Sequence, residues 1–204
     1  MNNSNNRSCQ ILCWNIRGIN SNQKWLALRE KIAETSCSII CLQETKREHF
    51  DHSYLRNCCP RRFDKFIFQP SVGNSGGLIV IWNSAIVSGN VMSCLPYAIT
   101  IEFNSTVTLN ETWHLTNVYG PCAGELRDEF VLWMNELDIE PDQCGIIMGD
   151  FNFIRSVENR NILGGDMNDI LIFNEIISNA GLVEIPLKGR NFTWSNMQEQ
   201  PLLQ

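Results

Sequence analysis

Leu78-Ile79-Val80-Ile81-Trp82 is apolar at five successive positions and follows the turn-forming stretch Gly73-Asn74-Ser75-Gly76-Gly77. A strand with no polar alternation is covered on both faces, so this chain must place material on two sides of a sheet. Ser38 to Leu42, Gly145 to Met148 and Cys9 to Asn15 read as further buried strands. Lys65 to Gln69, Ala98 to Phe103 and Thr112 to Tyr119 add three more, and Asn104 to Asn110 reads as a hairpin connection between the last two. Trp25, Leu28 and Ile32 recur at helical spacing behind the cap candidates Ser21 and Asn22. A second helix is expected over Glu125 to Asp138, with Phe130, Met134 and Leu137 inward and its leading acids near the positive helix end. A third is expected over Asn168 to Asn179, closed by Gly181. Runs of doubly apolar strands broken by a few helices argue for an α/β chain of two packed sheets with helices outside, in one domain.

Composition narrows the function. The chain has 204 residues, of which 44% are hydrophobic, enough for one substantial core. Met1 to Ser8 is polar, reads as a disordered tail and lacks the apolar segment of a signal peptide. No apolar run approaches the roughly 18 residues that cross a bilayer, so no membrane partner is expected. Nine cysteines, several in apolar stretches (Cys13, Cys37, Cys41, Cys94), suit small reduced hydrophobes in an intracellular compartment, without disulfide partners. Cys58-Cys59 is adjacent and no Cys-x-x-Cys occurs, which gives no support to a zinc or dithiol redox motif. A net charge of −6 is ill suited to a nucleic-acid partner. Seven of the 22 acids, however, lie between positions 125 and 142 with only Arg127 among them. Lys46-Arg47, Arg61-Arg62 with Lys65, and Lys188 with Arg190 then remain as candidate phosphate-facing clusters.

The chemistry sits at strand ends. The first strand ends in Asn15, the second is followed by Glu44, another ends in Tyr119, and the apolar run Gly145 to Met148 leads into Gly149-Asp150-Phe151-Asn152. Each residue alone also suits a structural role: Asn15 a turn cap, Glu44 a helix start, Tyr119 a half-buried strand aromatic, Asp150 and Asn152 an Asx turn. Four separate strand ends finishing in an acid, amides and a phenol together suit hydrolysis of a phosphodiester assisted by a hard cation. Glu44 and Asn15 would hold Mg²⁺ or Mn²⁺. Asp150 would orient or deprotonate the attacking water, and Asn152 and Tyr119 would donate to phosphoryl oxygens as their charge grows.

At these residues the sequence resembles the endonuclease/exonuclease/phosphatase family, which includes apurinic endonucleases, DNase I and the endonuclease domains of non-LTR retrotransposons. The motifs are Trp14-Asn15-Ile16-Arg17-Gly18, Gln43-Glu44-Thr45-Lys46, Ser75-Gly76-Gly77, Asn117-Val118-Tyr119-Gly120-Pro121 and Gly149-Asp150-Phe151-Asn152. Phe173-Asn174-Glu175, the run Gly181 to Arg190 and Phe192-Thr193-Trp194-Ser195-Asn196 look most like the N-terminal endonuclease domain of plant LINE-type retrotransposon polyproteins. The resemblance implies a four-layered α/β sandwich over residues 9–204, Mg²⁺ dependence, DNA as partner, nuclear action, and nicking of chromosomal DNA to prime reverse transcription. A monomer is expected.

Family members continue beyond a segment like Ser195-Asn196 to an Arg-Leu-Asp-type segment and a strand ending in Ser-Asp-His, whereas this sequence ends at Gln204. The resemblance therefore implies a domain lacking its last strands, with open sheet edges and impaired turnover. None of the three histidines is expected to substitute: His49 and His52 fall in a polar surface segment, and His114, five positions before Tyr119, points to the opposite face. Two other functions suit the same residues, a nucleic-acid-binding remnant without turnover and a phosphoesterase acting on lipid head groups or nucleotides.

Overall fold

A computed structural model describes residues 9–73, 75–105, 112–140, 142–162 and 164–204. The expected disordered tail lies outside these residues, as do most of the expected hairpin connection and Asn74 of the expected turn. Backbone contacts divide the chain into two compact units, Met1–Tyr119 with Asp142–Phe151, and Gly120–Pro141 with Asn152–Gln204.

The first unit holds two four-stranded sheets. In the first, β1 (Ile11–Asn15), β2 (Ile39–Gln43), β4 (Ser75–Trp82) and β3 (Lys65–Val72) lie in that order. In the second the order is β5 (Val87–Leu95), β6 (Ala98–Ser105), β7 (Thr112–Tyr119) and β8 (Gly145–Asp150). Each sheet contains one parallel pair, β1 with β2 and β7 with β8, among antiparallel neighbours. Parallel strands need a crossover. The first pair is joined through α1 (Asn22–Thr35), which starts where the Ser21 hydroxyl accepts from the Lys24 N–H. A second helix, α2 (His52–Cys58), starts at Asp51, whose carboxylate accepts from the Tyr54 N–H at 2.6 Å.

Two cores follow from the doubly apolar strands. Leu12, Ile40, Leu42, Ile79 and Ile81 face Leu28 and Ile32 of α1 and Leu55 and Cys58 of α2. Ile39, Cys41, Leu78, Val80 and Trp82 point the other way, onto Ile99, Ile101, Phe103 and Leu115 of the second sheet. Helices, first sheet and second sheet thus form three layers within this unit.

Several expectations change. Cys9 to Asn15 and Gly145 to Met148 were read as buried strands, but β1 and β8 are edge strands with one flank unpaired among the described residues, and most of their positions are only half-buried. Apolar content alone does not distinguish an edge from a centre. Cys13 on β1 and Cys94 on β5 are exposed for the same reason, whereas Cys37 and Cys41 are buried as expected. β5 has no continuous apolar run, and a bulge between Val91 and Ser93 breaks its alternation, so its sequence carries no strand signal. Ser75, Gly76 and Gly77, read as turn, already belong to β4.

In the second unit the expected helix over Glu125 to Asp138 stops earlier, as α3 (Glu125–Asn135). Its last turn has no basic residue, and Glu136 and Asp138 follow at the negative helix pole, where further acids are unfavourable. α4 (Met167–Asn179) begins at Asp166, whose carboxylate accepts from the Asn168 N–H, and Gly181 follows its end at φ +64°. Phe153 stacks on Phe173 and carries the Arg127 guanidinium 4.1 Å from its ring centre, while Arg127 pairs with Asp169 at 2.7 Å.

The β7–β8 pairing depends on Gly149. It sits at φ +139°, and a methyl group there would run into the Val118 carbonyl. Gly149→Ala is expected to lower stability by at least about 2 kcal/mol through overlap and backbone strain. A urea midpoint equal to that of the unsubstituted chain would show that this close approach is not required.

Candidate active site at the strand ends

Because both special pairs are parallel, their C-terminal ends emerge on one rim of the first unit. Asn15 and Gln43 are register partners in the first sheet, and Tyr119 and Asp150 are register partners in the second. Across the sandwich the Asn15 Nδ2 donates to Asp150 Oδ2 at 2.6 Å. The Asn15 Oδ1 accepts from the Arg17 N–H at 3.2 Å, which fixes the amide so that its donor end faces the carboxylate. Such a charge-assisted bond orients the carboxylate.

Beyond the strands the ladder continues. The N–H groups of Ile16, Gly18 and Ile19 donate to the carbonyls of Gln43, Glu44 and Thr45. Thr45 and Lys46 in turn donate to Gly77 and Gly76. Glu44 is thereby held at the rim at φ +53°, and its Oε1 lies 3.0 Å from the Lys46 Nζ. Arg17, Lys46 and Asn152 also have positive φ, so four of the six such non-glycine residues among the described residues fall in the three segments that carry the motifs. Each costs on the order of 1 kcal/mol or more and persists only where surrounding bonds fix it.

Just inside the rim is a buried amide pair. The Gln43 Nε2 donates to Asn117 Oδ1 at 2.5 Å, and the Asn117 Nδ2 reaches the carbonyls of Leu42 and Ile79, both at 3.3 Å. Both side chains are almost wholly buried, so this bond ties β2 and β4 to β7 directly beneath Asn15 and Asp150. Both residues lie within the motifs Gln43-Glu44-Thr45-Lys46 and Asn117-Val118-Tyr119-Gly120-Pro121, whose wording alone assigns neither a role. The available signal was two amides interrupting apolar strands.

The remaining expected residues are placed as follows. Tyr119 packs against the inter-sheet core, and its N–H donates to the Tyr97 carbonyl at 2.9 Å. Asn152 belongs to the second unit and does not extend the alternation of β8; at φ +54° its Nδ2 donates to the Gly120 carbonyl at 2.6 Å. His114 stands 3.7 Å from Glu102, His49 packs on Phe68 and His52 on Phe66. Arg47 lies 3.5 Å from the centre of the Tyr54 ring and donates to Asn20, so it serves the packing of α2 rather than an open phosphate-facing patch.

The donors at the rim are oxygens: the Glu44 and Asp150 carboxylates and the second lone pair of Asn15 Oδ1. No cluster of three or more His, Cys, Asp or Glu side chains fit to hold a metal occurs among the described residues. This set suits a hard divalent ion that keeps most of its waters, and does not suit a closed zinc site.

A two-sheet α/β sandwich with a carboxylate–amide pair at the ends of facing parallel strands defines a class. The sequence profile of the endonuclease/exonuclease/phosphatase family matches residues 12–178, and the chain belongs to that family. Among solved structures it is similar to the AP endonuclease LMAP from Leishmania major, with 14% identity, a TM-score of 0.65 and coverage of 83% of this chain and 66% of that one. The Xenopus laevis APE2 catalytic domain is 20% identical with a TM-score of 0.57, covering 81% and 66%. The endonuclease domain of TRAS1, a telomere-specific non-LTR retrotransposon, is 12% identical with a TM-score of 0.58, covering 81% and 71%. The chain thus spans just under two thirds of the two AP-type structures, and at these identities the likeness establishes the fold. No curated protein matches the chain by sequence.

The amide pair predicts a specific energetic signature. Asn117→Leu alone removes the shortest hydrogen bond of the buried Gln43 amide, leaving it only the longer contacts to Cys13 Sγ and the Cys41 carbonyl, and is expected to cost about 2–4 kcal/mol. Pairing it with Gln43→Leu should cost less than the two single changes together, by about 1 kcal/mol or more. Strict additivity in denaturant melts would show that the two amides act independently.

Proposed function

We propose that this chain is a metal-dependent DNA endonuclease domain of the non-LTR retrotransposon type. The observation that carries the reading is the bond between Asn15 and Asp150 at the ends of the two parallel strand pairs, with Glu44 beside it. Asp150, held by the Asn15 amide, orients an attacking water and takes its proton. Tyr119 donates to the phosphoryl oxygens, and the Lys46 ammonium beside Glu44 offers a further counter-charge to substrate phosphate. Glu44 and Asn15 would hold Mg²⁺ or Mn²⁺, which supplies Lewis-acid stabilisation of developing phosphoryl charge when bound. DNA as substrate is supported by family membership, by the likeness to the TRAS1 endonuclease domain and by the LINE-type wording of the second half. Action on chromosomal DNA would place the protein in the nucleus.

His114, His49 and His52 are engaged with Glu102, Phe68 and Phe66 and are given no part in the proton transfers at the rim. The same observation favours a second reading, a DNA-binding module without turnover.

Supercoiled-plasmid nicking decides between them. Nicking is expected to require Mg²⁺ or Mn²⁺, to stop with a chelator, and to fall about 10²–10⁴-fold in Asp150→Ala and Glu44→Ala. Salt-dependent DNA binding with no nicking would support the second reading. Hydrolysis of phosphoinositides without nicking, or nicking undiminished in both variants, would overturn the first.

A further inference from the structure

Away from the rim, the first unit has a cavity of about 450 Å³ lined by Arg29, Arg56, Cys59, Pro60 and Arg61. Three of its five lining residues carry guanidinium groups and none is acidic. None of the three arginines forms an ion pair among the described residues. In a chain of net charge −6, three uncompensated cations around one hollow depart sharply from the average surface. Like charges left together in this way create a local positive potential that an anion relieves.

The wall is also organised. The Arg29 Nη2 donates to the Arg56 carbonyl at 2.9 Å, which anchors one guanidinium and covers a carbonyl near the end of α2 that would otherwise repel an anion. The Phe63 N–H donates to the Pro60 carbonyl at 3.1 Å, closing a turn whose outer residues are Arg61 and Arg62. Arg62 lies 4.9 Å from the Phe63 ring centre, and Arg61 is the residue of that pair which lines the cavity. Cys59 of the lining is buried, its sulfur 3.9 Å from that of the buried Cys58.

We propose that this cavity is a binding site for a multiply charged phosphate group, a phosphate monoester or a polyphosphate, separate from the Asn15–Asp150 site. A single carboxylate would neutralise one of the three guanidiniums. A phosphoryl dianion supplies more charge and several acceptor oxygens matched to the planar donor forks of arginine. The site is remote from the rim. Arg61 leads into β3, whose first residue Lys65 pairs with Trp82 and, through it, aligns with Ile39 at the start of β2. Glu44 follows the other end of β2, and at about 3.3 Å per residue the strand alone separates the two by more than 10 Å. The phosphate is carried either by the 5′ end of a nucleic acid or by a free polyphosphate.

Calorimetric titration of the whole chain with pyrophosphate, with a chelator present, tests the site without any metal-dependent chemistry. Saturable binding is expected, unchanged in Glu44→Ala and in the neighbouring Arg62→Gln. Affinity should weaken about threefold to tenfold in Arg61→Gln and more than about tenfold in Arg29→Gln with Arg61→Gln, the scale of charge-assisted hydrogen bonds at an exposed site. Should the double variant unfold by circular dichroism, Arg61→Gln, in an exposed turn, decides alone. Displacement of pyrophosphate by a 5′-phosphorylated single-stranded oligonucleotide would identify a nucleic-acid end as the source, and displacement by free polyphosphate only would identify the small anion. Absence of saturable binding, equal affinity in Arg61→Gln, or equal displacement by an unphosphorylated oligonucleotide would overturn the proposal. Loss of plasmid nicking with pyrophosphate binding intact would count against the endonuclease reading and leave this one standing.

Discussion

The parallel pairing of β1 with β2 and of β7 with β8 is the constraint from which the site follows. An antiparallel neighbour would deliver its opposite end to the rim. Two parallel pairs facing each other deliver four C-terminal ends together, and with them Asn15, Glu44, Tyr119 and Asp150. The buried Gln43–Asn117 bond then holds the two sheets in register beneath these residues. Burying two amides is tolerable only because each is satisfied by the other or by a backbone carbonyl.

The rim concentrates features that a stability-driven sequence would avoid. Glu44, Arg17 and Lys46 sit in left-handed conformations, and two edge strands end there with one flank open among the described residues. The continued ladder from Ile16–Ile19 through Glu44–Lys46 to Gly76–Gly77 offsets part of that strain. A backbone fixed in this way holds the Glu44 carboxylate in place in advance, as a preorganised ligand for a hard cation would require. The three-arginine cavity lies on the helix-covered side of the same unit and shares none of these residues.

Much of the fold was legible because burial on both faces leaves a run of apolar residues. β2, β4, β6 and β7 and the helices α1 and α4 were all readable from periodicity, and Ser21 and Gly181 marked helix ends through their capping chemistry. β5 was not, because an edge strand with a bulge has no apolar period to detect. The edge positions of β1 and β8 were hidden for a different reason: strand order is set by long-range pairing that composition does not encode. At the site, residue identity suggested the chemistry, but the Asn15–Asp150 bond spans 135 positions, and the roles of Gln43 and Asn117 appear only when the sheets are packed.

The central claim is that the rim of the first unit, and no other acidic region, takes a divalent cation. The chain offers a competitor in the acid-rich stretch between positions 125 and 142, which would gather cations loosely through charge alone. Titration with Mn²⁺ while recording amide and side-chain NMR signals separates the two. The account predicts that paramagnetic broadening appears first at Asn15, Glu44 and Asp150, at about stoichiometric metal. Broadening that begins between positions 125 and 142 and reaches the rim only at large excess would contradict it.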